Sequence, residues 1–160
     1  MIRTRSIGRA ALRRGLSTGP AWETLRVERS PEEERILTVS FNRPDSLNAL
    51  NTLMGEELRD LFDADRMDAA YPGTSAVVLS GSERAFCVGA DLKERKGMTD
   101  EVWAAQHRLF QKAALNILHC PVPVISAVEG ASVSVSVCVC VCVCVCVCVY
   151  VRECALGRAR

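Results

Sequence analysis

The sequence lacks an excess of charge of either sign: 20 basic side chains face 19 acidic ones, for a formal net charge of +1 in 160 residues. This balance hides three segments. Residues 1–22 carry five arginines and no acid, residues 23–131 have a net charge of −6, and residues 132–160 have a net charge of +2. Phosphate contacts need a basic face, so the acidic middle segment argues against a nucleic-acid-binding domain.

The sequence also has few cysteines outside one repetitive run. Of nine cysteines, only Cys87, Cys120 and Cys154 lie elsewhere, so a disulfide-stapled secreted fold is not expected. His119 and Cys120 have no second ligand pair nearby, and we expect no metal site. The length fits one domain, or one domain with appendages.

The N-terminal segment, residues 1–22, has no apolar run of the roughly 7–15 residues that a secretory signal needs. Arg5, Arg9 and Arg13 would line one stripe of a helix. An acid-free, arginine-rich amphipathic start is typical of a mitochondrial transit peptide, and Arg14-Gly15-Leu16 resembles a matrix-processing site. We therefore expect the protein to be located in the mitochondrial matrix. The alternative is that the segment is a disordered basic tail that no import receptor binds.

The middle segment alternates strands and helices. The apolar periods predict helices that begin at Asn51 or Thr52 and at Thr99 or Asp100, and a loop over Gly81–Asp91. Predicted strands are Leu25–Arg29, Ile36–Phe41, Ala76–Ser80 and Val122–Val128. This order indicates an α/β fold with crossover connections.

Both predicted helices have an apolar face. The first should bury Met54, Leu58, Leu61 and Phe62, and should leave a polar face exposed, comprising Glu56, Glu57, Arg59, Asp60 and Asp63. The second should bury a stripe that contains Trp103, His107, Phe110, Ala114 and Ile117. His107 is accordingly predicted to be a core histidine rather than a ligand.

Three motifs occur in order along residues 24–131. They are Asn42-Arg43-Pro44 with Leu47-Asn48-Ala49-Leu50, then Phe86-Cys87-Val88-Gly89-Ala90-Asp91-Leu92-Lys93-Glu94, then Pro123-Val124-Ile125-Ser126-Ala127-Val128-Glu129-Gly130. Together they resemble the signatures of the crotonase superfamily, the enoyl-CoA hydratases and isomerases. The resemblance implies an incomplete crotonase-like ββα spiral over residues 23–131. A disordered N-terminus (1–22) and a non-native C-terminal tail (132–160) would flank it.

The resemblance also implies an oxyanion hole that binds an acyl-CoA thioester. Two backbone N–H groups would stabilise the charge that develops on the thioester oxygen. Ala90 would supply the first of them, and Gly89 would allow close approach because it has no Cβ. No cofactor is implied, since CoA is part of the substrate. The implied substrate-binding residues are Leu47, Ala49, Val88, Ala90, Asp91, Leu92 and Lys93.

Two further expectations concern the residues after Ala90. Asp91 should cap a short helix from Leu92, with Glu94 three residues on, as in a capping box. Lys93, Arg95 and Lys96 would either attract CoA phosphates or be exposed without a ligand. The residues leave both alternatives open.

The resemblance stops after Ala131. Ser134, Val135 and Ser136 stand where the family has three glycines, so the second oxyanion N–H would fall on Val135. A glutamate that many hydratases use would fall on Cys138, and the region through which family members form trimers or hexamers has no counterpart. We expect an acyl-CoA enzyme by resemblance, inactive as this chain. The alternatives are a non-catalytic fragment that binds CoA weakly or joins full-length subunits, and a membrane-tethered tail protein.

The tail over residues 132–151 alternates strictly between valine and another residue. It contains ten Val, six Cys, three Ser and one Tyr. A repeated GT dinucleotide encodes Val-Cys in every forward frame, which indicates a translated microsatellite. Two other interpretations are a bilayer-spanning helix of 20 uncharged residues, and a strand whose cysteines share one face and bind soft metals.

Overall fold

The computed structural model describes residues 20–132 and the backbone of Val149–Tyr150. Its main feature is a five-stranded sheet, built from β1 (Leu25–Arg29), β2 (Ile36–Phe41), β3 (Ala76–Ser80), β5 (Val124–Val128) and β7 (Val149–Tyr150). The strands lie side by side in the order β1-β2-β3-β5-β7. Strand β1 is antiparallel to β2, and all other neighbours are parallel. Beside this sheet, β4 (Ala85–Cys87) pairs in parallel with β6 (Ala131–Ser132).

Helices form the crossovers that parallel strands require. Between β2 and β3 lie a 3-10 turn (Pro44–Ser46), α1 (Thr52–Leu61) and α2 (Ala64–Ala70); between β3 and β5 lie β4, α3 (Leu92–Arg95) and α4 (Asp100–Leu118). Side-chain oxygens cap the N-termini of α1 and α4: Asn51 Oδ1 accepts from Met54 N at 3.0 Å, and Thr99 Oγ1 accepts from Val102 N at 3.4 Å. The predicted helix starts and strand order are thus confirmed.

One hydrophobic cluster joins the sheet to α1 and α4. The strands contribute alternate residues, as a sheet with one buried face requires. The helices contribute residues one turn apart, and Phe86 of β4 lies edge-on to Phe41 with 5.2 Å between ring centroids. Members of the cluster from the sheet are Leu37, Val39, Val77, Leu79 and Val124, and those from the helices are Met54, Leu58, Leu61, Phe110, Ala113 and Ile117.

The predicted face of α4 is partly wrong. Phe110 and Ile117 are buried as expected, but Trp103 is 44 % exposed and His107 is exposed. These two rings stack on each other at the surface, with 5.2 Å between centroids and 4° between planes. His107 is therefore not a core histidine, because Gln106 occupies the buried side of the helix instead. In the part of the chain that the structure describes, no helix is both long and apolar enough to cross a bilayer.

Helix α2 and the strands β4 and β6 were not predicted, and one predicted exposure is wrong. Helix α2 and strand β4 occupy stretches with too few residues to show a period. Glu57, predicted on the solvated face of α1, is only 8 % exposed. Its carboxylate accepts hydrogen bonds from Glu23 N and Thr24 N at 2.7 and 2.9 Å and from the Thr24 hydroxyl. The acid therefore fixes the start of β1 against α1.

Candidate active site

The first loop of the candidate site follows β2 and is held by a buried asparagine. Leu47 and Asn48 both adopt left-handed backbone conformations, with φ of 50° and 56°, which asparagine tolerates better than most residues. Asn48 is 0 % exposed. Its Oδ1 accepts from Arg43 N at 3.0 Å, and its Nδ2 donates to Ala85 O at 2.9 Å. Asn48 thus joins this loop to β4.

A backbone bridge joins the first loop to the second one. Leu50 N donates to Gly89 O at 2.7 Å, and Asp91 N donates to Leu50 O at 2.9 Å. The pairing therefore uses the peptide groups on either side of Ala90. Because successive N–H groups of an extended chain point in opposite directions, the Ala90 N–H points away from Leu50. Gly89 enters the bridge with φ of +94°, a conformation that glycine adopts without steric cost.

The Ala90 N–H is therefore available to a ligand. It donates no hydrogen bond to any of the described residues. Ala90 itself is half-buried, and an N–H shielded from bulk water binds a developing negative charge more strongly than an exposed one. An unpaired and partly shielded N–H is one of the features that an oxyanion donor needs.

Asp91 anchors the chain immediately after Ala90. Its Oδ1 accepts from Lys93 N at 3.0 Å and from Glu94 N at 3.3 Å, so it caps α3 as predicted. Its Oδ2 accepts from Arg43 Nη2 at 3.0 Å. Burial raises the pKa of Asp91, but the hydrogen bond from Arg43 and those from the two backbone N–H groups more than offset it and hold the pKa below its ordinary value of 3.8. The carboxylate is ionised at neutral pH.

The capping box is only half formed. Glu94 does not return to Asp91 N, which is already bound to Leu50 O. Its carboxylate instead accepts from Thr52 N at the start of α1, at 2.9 Å to Oε2. The predicted box is corrected in this respect: Glu94 links two helices rather than closing one.

The predicted substrate-binding residues lie on the two bridged loops. Leu47 and Val88 are half-buried, Ala49 is buried, and Leu92 and Lys93 are exposed, Leu92 to 77 %. Arg95, weighed as a phosphate ligand, lies over the rings of Trp103 and Phe110, with 5.9 and 5.7 Å to their centroids. Sequence reasoning assigned no role to Asn48 or Arg43. The signal in the sequence was that Asn48 stands alone between apolar residues in a turn, where asparagine often adopts the left-handed conformation.

The third motif reaches the second loop through β6. Gly130 has φ of +68°, and a Cβ there would lie 2.4 Å from the carbonyl carbon of Arg84, so glycine is required. Ala131 N then donates to Arg84 O at 3.1 Å and starts the pairing with β4. The predicted positions of the second donor and of the absent glutamate, Val135 and Cys138, lie outside the described residues.

Two surface clefts lie elsewhere. One, of about 370 Å³, is lined by residues of β1, β2 and the turn after them, and one, of about 460 Å³, lies beside Trp22, Met67 and Tyr71. Neither is lined by Gly89 or Ala90. Within the described residues, no three histidine, cysteine or acidic side chains are grouped as metal ligands. The candidate site is thus defined by backbone geometry.

Comparison with known proteins identifies the family to which this chain belongs. A family model described as enoyl-CoA hydratase/isomerase matches residues 31–151. The chain belongs to the enoyl-CoA hydratase/isomerase family. The solved enoyl-CoA hydratase of Bacillus anthracis superposes with a TM-score of 0.67 at 28% identity, covering 75% of this chain and 45% of that one. The predicted crotonase-like α/β fold is confirmed.

Curated relatives of this family are similar over part of their length. A protein of Rhizobium meliloti named "Probable enoyl-CoA hydratase" is 43% identical over 81 residues, which is 49% of this chain and 28% of that protein. The enoyl-CoA isomerase/hydratase of Zymoseptoria tritici is 32% identical over 115 residues, 70% of this chain and 38% of that protein. The chain therefore spans less than half the length of these relatives.

Proposed function

We propose that this chain binds acyl-CoA thioesters, with the thioester carbonyl oxygen accepting a hydrogen bond from the Ala90 N–H. We also propose that the complete enzyme hydrates or isomerises enoyl-CoA in fatty-acid or branched-chain amino-acid breakdown. The observation that carries the proposal is the Leu50–Ala90 bridge. The bridge uses the Gly89 C=O and the Asp91 N–H. It leaves the Ala90 N–H without a hydrogen bond to any described residue. CoA enters as part of the substrate, and no separate cofactor is proposed.

We further propose that the chain alone turns substrate over at a rate close to that of the uncatalysed reaction. The sequence places Val135 where the family has a glycine and Cys138 where many hydratases have a glutamate. Loss of one oxyanion donor costs about 10²–10³ in rate, and loss of general acid–base assistance about 10²–10⁴. These factors need not multiply, but either loss would remove most of the catalysis, while the Ala90 N–H would still bind the substrate.

The test measures binding and turnover separately on the purified full-length chain. Crotonyl-CoA should bind, and its hydration should stay near the rate without protein. The Gly89→Val variant should lose binding, because a β-branched residue is strained at φ of +94°. Gly73→Val is the matched control, with φ of +76° and no atom within 4 Å of the added Cβ. Failure of the folded wild-type chain to bind crotonyl-CoA would contradict the binding proposal; rapid hydration would contradict the proposed inactivity.

A non-catalytic role beside full-length family members is the second candidate. It is favoured by the combination of a complete first oxyanion loop with substitutions at the later catalytic positions. Co-expression with a full-length enoyl-CoA hydratase from the same cell would test it. Co-purification of the two chains supports the role, whereas separate elution on size exclusion contradicts it.

The mitochondrial matrix remains the proposed location. It rests on the arginine stripe Arg5, Arg9 and Arg13 in an acid-free segment. Import of the radiolabelled chain into isolated mitochondria should shorten it and protect it from protease. Replacement of the three arginines by glutamine should abolish both effects.

A further inference from the structure

A polar network beyond the oxyanion loop connects α3, α1 and α4. It is built on Glu94 and Gln106, and neither residue is among the predicted substrate-binding positions. Gln106 is only 3 % exposed, although Trp103 and His107 on the same helix stack at the surface. A buried amide is retained at low cost only where its hydrogen bonds are satisfied, so the partners of Gln106 determine whether the network can hold a defined geometry.

Every polar group of Gln106 has a partner. Its Nε2 donates to Glu94 Oε2 at 2.8 Å and to Thr52 Oγ1 at 2.9 Å, and its Oε1 accepts from Arg95 Nε at 2.9 Å. Glu94 in turn accepts from Thr52 N at 2.9 Å. The amide orientation is therefore determined: the carbonyl must face Arg95 and the NH₂ must face the carboxylate.

The network lies next to the backbone bridge in both chain segments. Leu50 and Ala90 form the bridge, and two and four residues further on Thr52 and Glu94 form the hydrogen bond described above. The two contacts fix both the position and the rotation of one segment relative to the other. A shift of α3 would displace the chain at Asp91 and Ala90, and would thereby change the direction of the Ala90 N–H.

We propose that Glu94 and Gln106 are positioning residues for the Ala90 N–H: they hold α3 against the start of α1, so that the amide meets a thioester oxygen in hydrogen-bonding geometry. This inference rests on the proposed function. A hydrogen bond from a backbone N–H weakens steeply as the N–H···O angle falls. A small rotation of the peptide therefore weakens the bond without removing the donor.

The measured quantity isolates that one bond. Butyryl-CoA has the thioester carbonyl, whereas the thioether S-butyl-CoA has the same chain and nucleotide without it. The thioester preference is the dissociation constant of S-butyl-CoA divided by that of butyryl-CoA, both measured calorimetrically on the full-length chain. For the wild type we expect a preference of about two- to tenfold, the net worth of one such hydrogen bond.

Three variants test the positioning role. Glu94→Gln places an amide donor against Gln106 Nε2 or Thr52 N, and Gln106→Glu places two carboxylates side by side; each should bring the thioester preference close to one. The double variant Glu94→Gln/Gln106→Glu restores a full set of partners. The new amide at position 94 would accept from Thr52 N and donate to the new carboxylate at position 106, which would also accept from Thr52 Oγ1 and Arg95 Nε. The preference of the double variant should return to the wild-type value.

Two further variants keep the test decisive if the single variants fold poorly. Thr52→Pro removes the N–H that donates to Glu94. Thr52 is the first residue of α1, a position where proline is well tolerated. Asn51 before it is already extended, with φ of −98° and ψ of 175°, as a residue before proline must be. This variant should lose the thioester preference, and it should melt slightly lower because it also removes the Thr52 hydroxyl that accepts from Gln106 Nε2. Gln111→Glu, on the exposed side of α4, is the control that should change neither.

The outcomes separate the two proposals. If the wild type binds both ligands equally, the Ala90 N–H does not bind the carbonyl and the proposed function fails. If the wild type prefers the thioester but the single variants and Thr52→Pro keep that preference while melting lower, the network is merely structural and the positioning role is overturned. Failure of the folded double variant to recover the preference overturns it as well.

Discussion

Arg43 and Asp91 form an ion pair across 48 positions of sequence, with 3.0 Å between Arg43 Nη2 and Asp91 Oδ2. Only 20% and 12% of their side-chain surfaces are exposed, so water screens this pair less than a surface pair. The Arg43 guanidinium also donates to Ala49 O. One side chain thus holds both loops that flank the Leu50–Ala90 bridge.

Asp91→Asn should make the protein less stable at neutral pH and less sensitive to acid. The pKa of Asp91 is lowered in the folded protein, since its hydrogen bonds from Arg43 and from backbone N–H groups outweigh the effect of burial. A lowered folded pKa contributes stability that is fully present above the unfolded value of 3.8 and is lost as the pH falls through the folded value. We expect Asp91→Asn to lose about 1 kcal/mol of unfolding free energy at pH 7.

Urea unfolding as a function of pH measures this difference. The wild type and Asp91→Asn should differ most above about pH 5 and converge towards pH 2. Asp45→Asn, at an exposed position in the 3-10 turn, is the matched control and should follow the wild type. Parallel pH profiles for the wild type and Asp91→Asn would contradict the assigned role.

Gly89→Ala and Gly73→Ala should have similar effects on stability but different effects on binding. Both glycines have positive φ, +94° and +76°, so a Cβ at either position costs about 1–2 kcal/mol. Only Gly89 precedes the proposed donor. We expect both variants to melt lower and only Gly89→Ala to bind crotonyl-CoA more weakly. Equal binding by the two variants would show that the Gly89 conformation does not matter for the ligand.

Much of the fold could be predicted because its core strands follow simple patterns. The predicted bounds of Ile36–Phe41 and Ala76–Ser80 coincide with β2 and β3, since these runs are apolar, β-branched and bordered by turn residues. Asp91 as the cap of α3 followed from a carboxylate ahead of a short helix. The approach of the two loops came only from the family resemblance, because a contact between segments so far apart in sequence leaves no local pattern.

The features that could not be predicted depend on tertiary hydrogen bonds. A hydrophobicity pattern predicts that Trp103 is buried and Gln106 is exposed, but the structure shows the reverse. Gln106 can be buried because its hydrogen bonds are satisfied, and these bonds are not visible in the pattern. Strand β4 has three residues, too few for a period. The buried state of Glu57 likewise depends on donors from residues 23 and 24, which its own helix does not reveal.

Glu57→Gln should destabilise the fold, and Glu56→Gln should not. Glu57 uses both carboxylate oxygens to accept from the backbone at the start of β1. A glutamine has one acceptor oxygen, so its NH₂ group would face a backbone N–H in a buried place. We expect a loss of about 1–3 kcal/mol in urea unfolding. The adjacent Glu56 is exposed, and its substitution should stay within about 0.5 kcal/mol; equal losses would refute the distinction.

Substitutions of Asn48 should rank in an unusual order. Either alanine or glycine there removes the acceptor for Arg43 N and the donor to Ala85 O, at a cost of about 1–3 kcal/mol. Alanine additionally has a Cβ at φ of 56°, which costs about 1 kcal/mol more than glycine. We therefore expect Asn48→Gly to be more stable than Asn48→Ala, the reverse of the order in a helix or strand. Thermal melting of both variants tests this order. If alanine is the more stable, the left-handed conformation is not what asparagine provides at this position, and the loop is held through the side-chain hydrogen bonds alone.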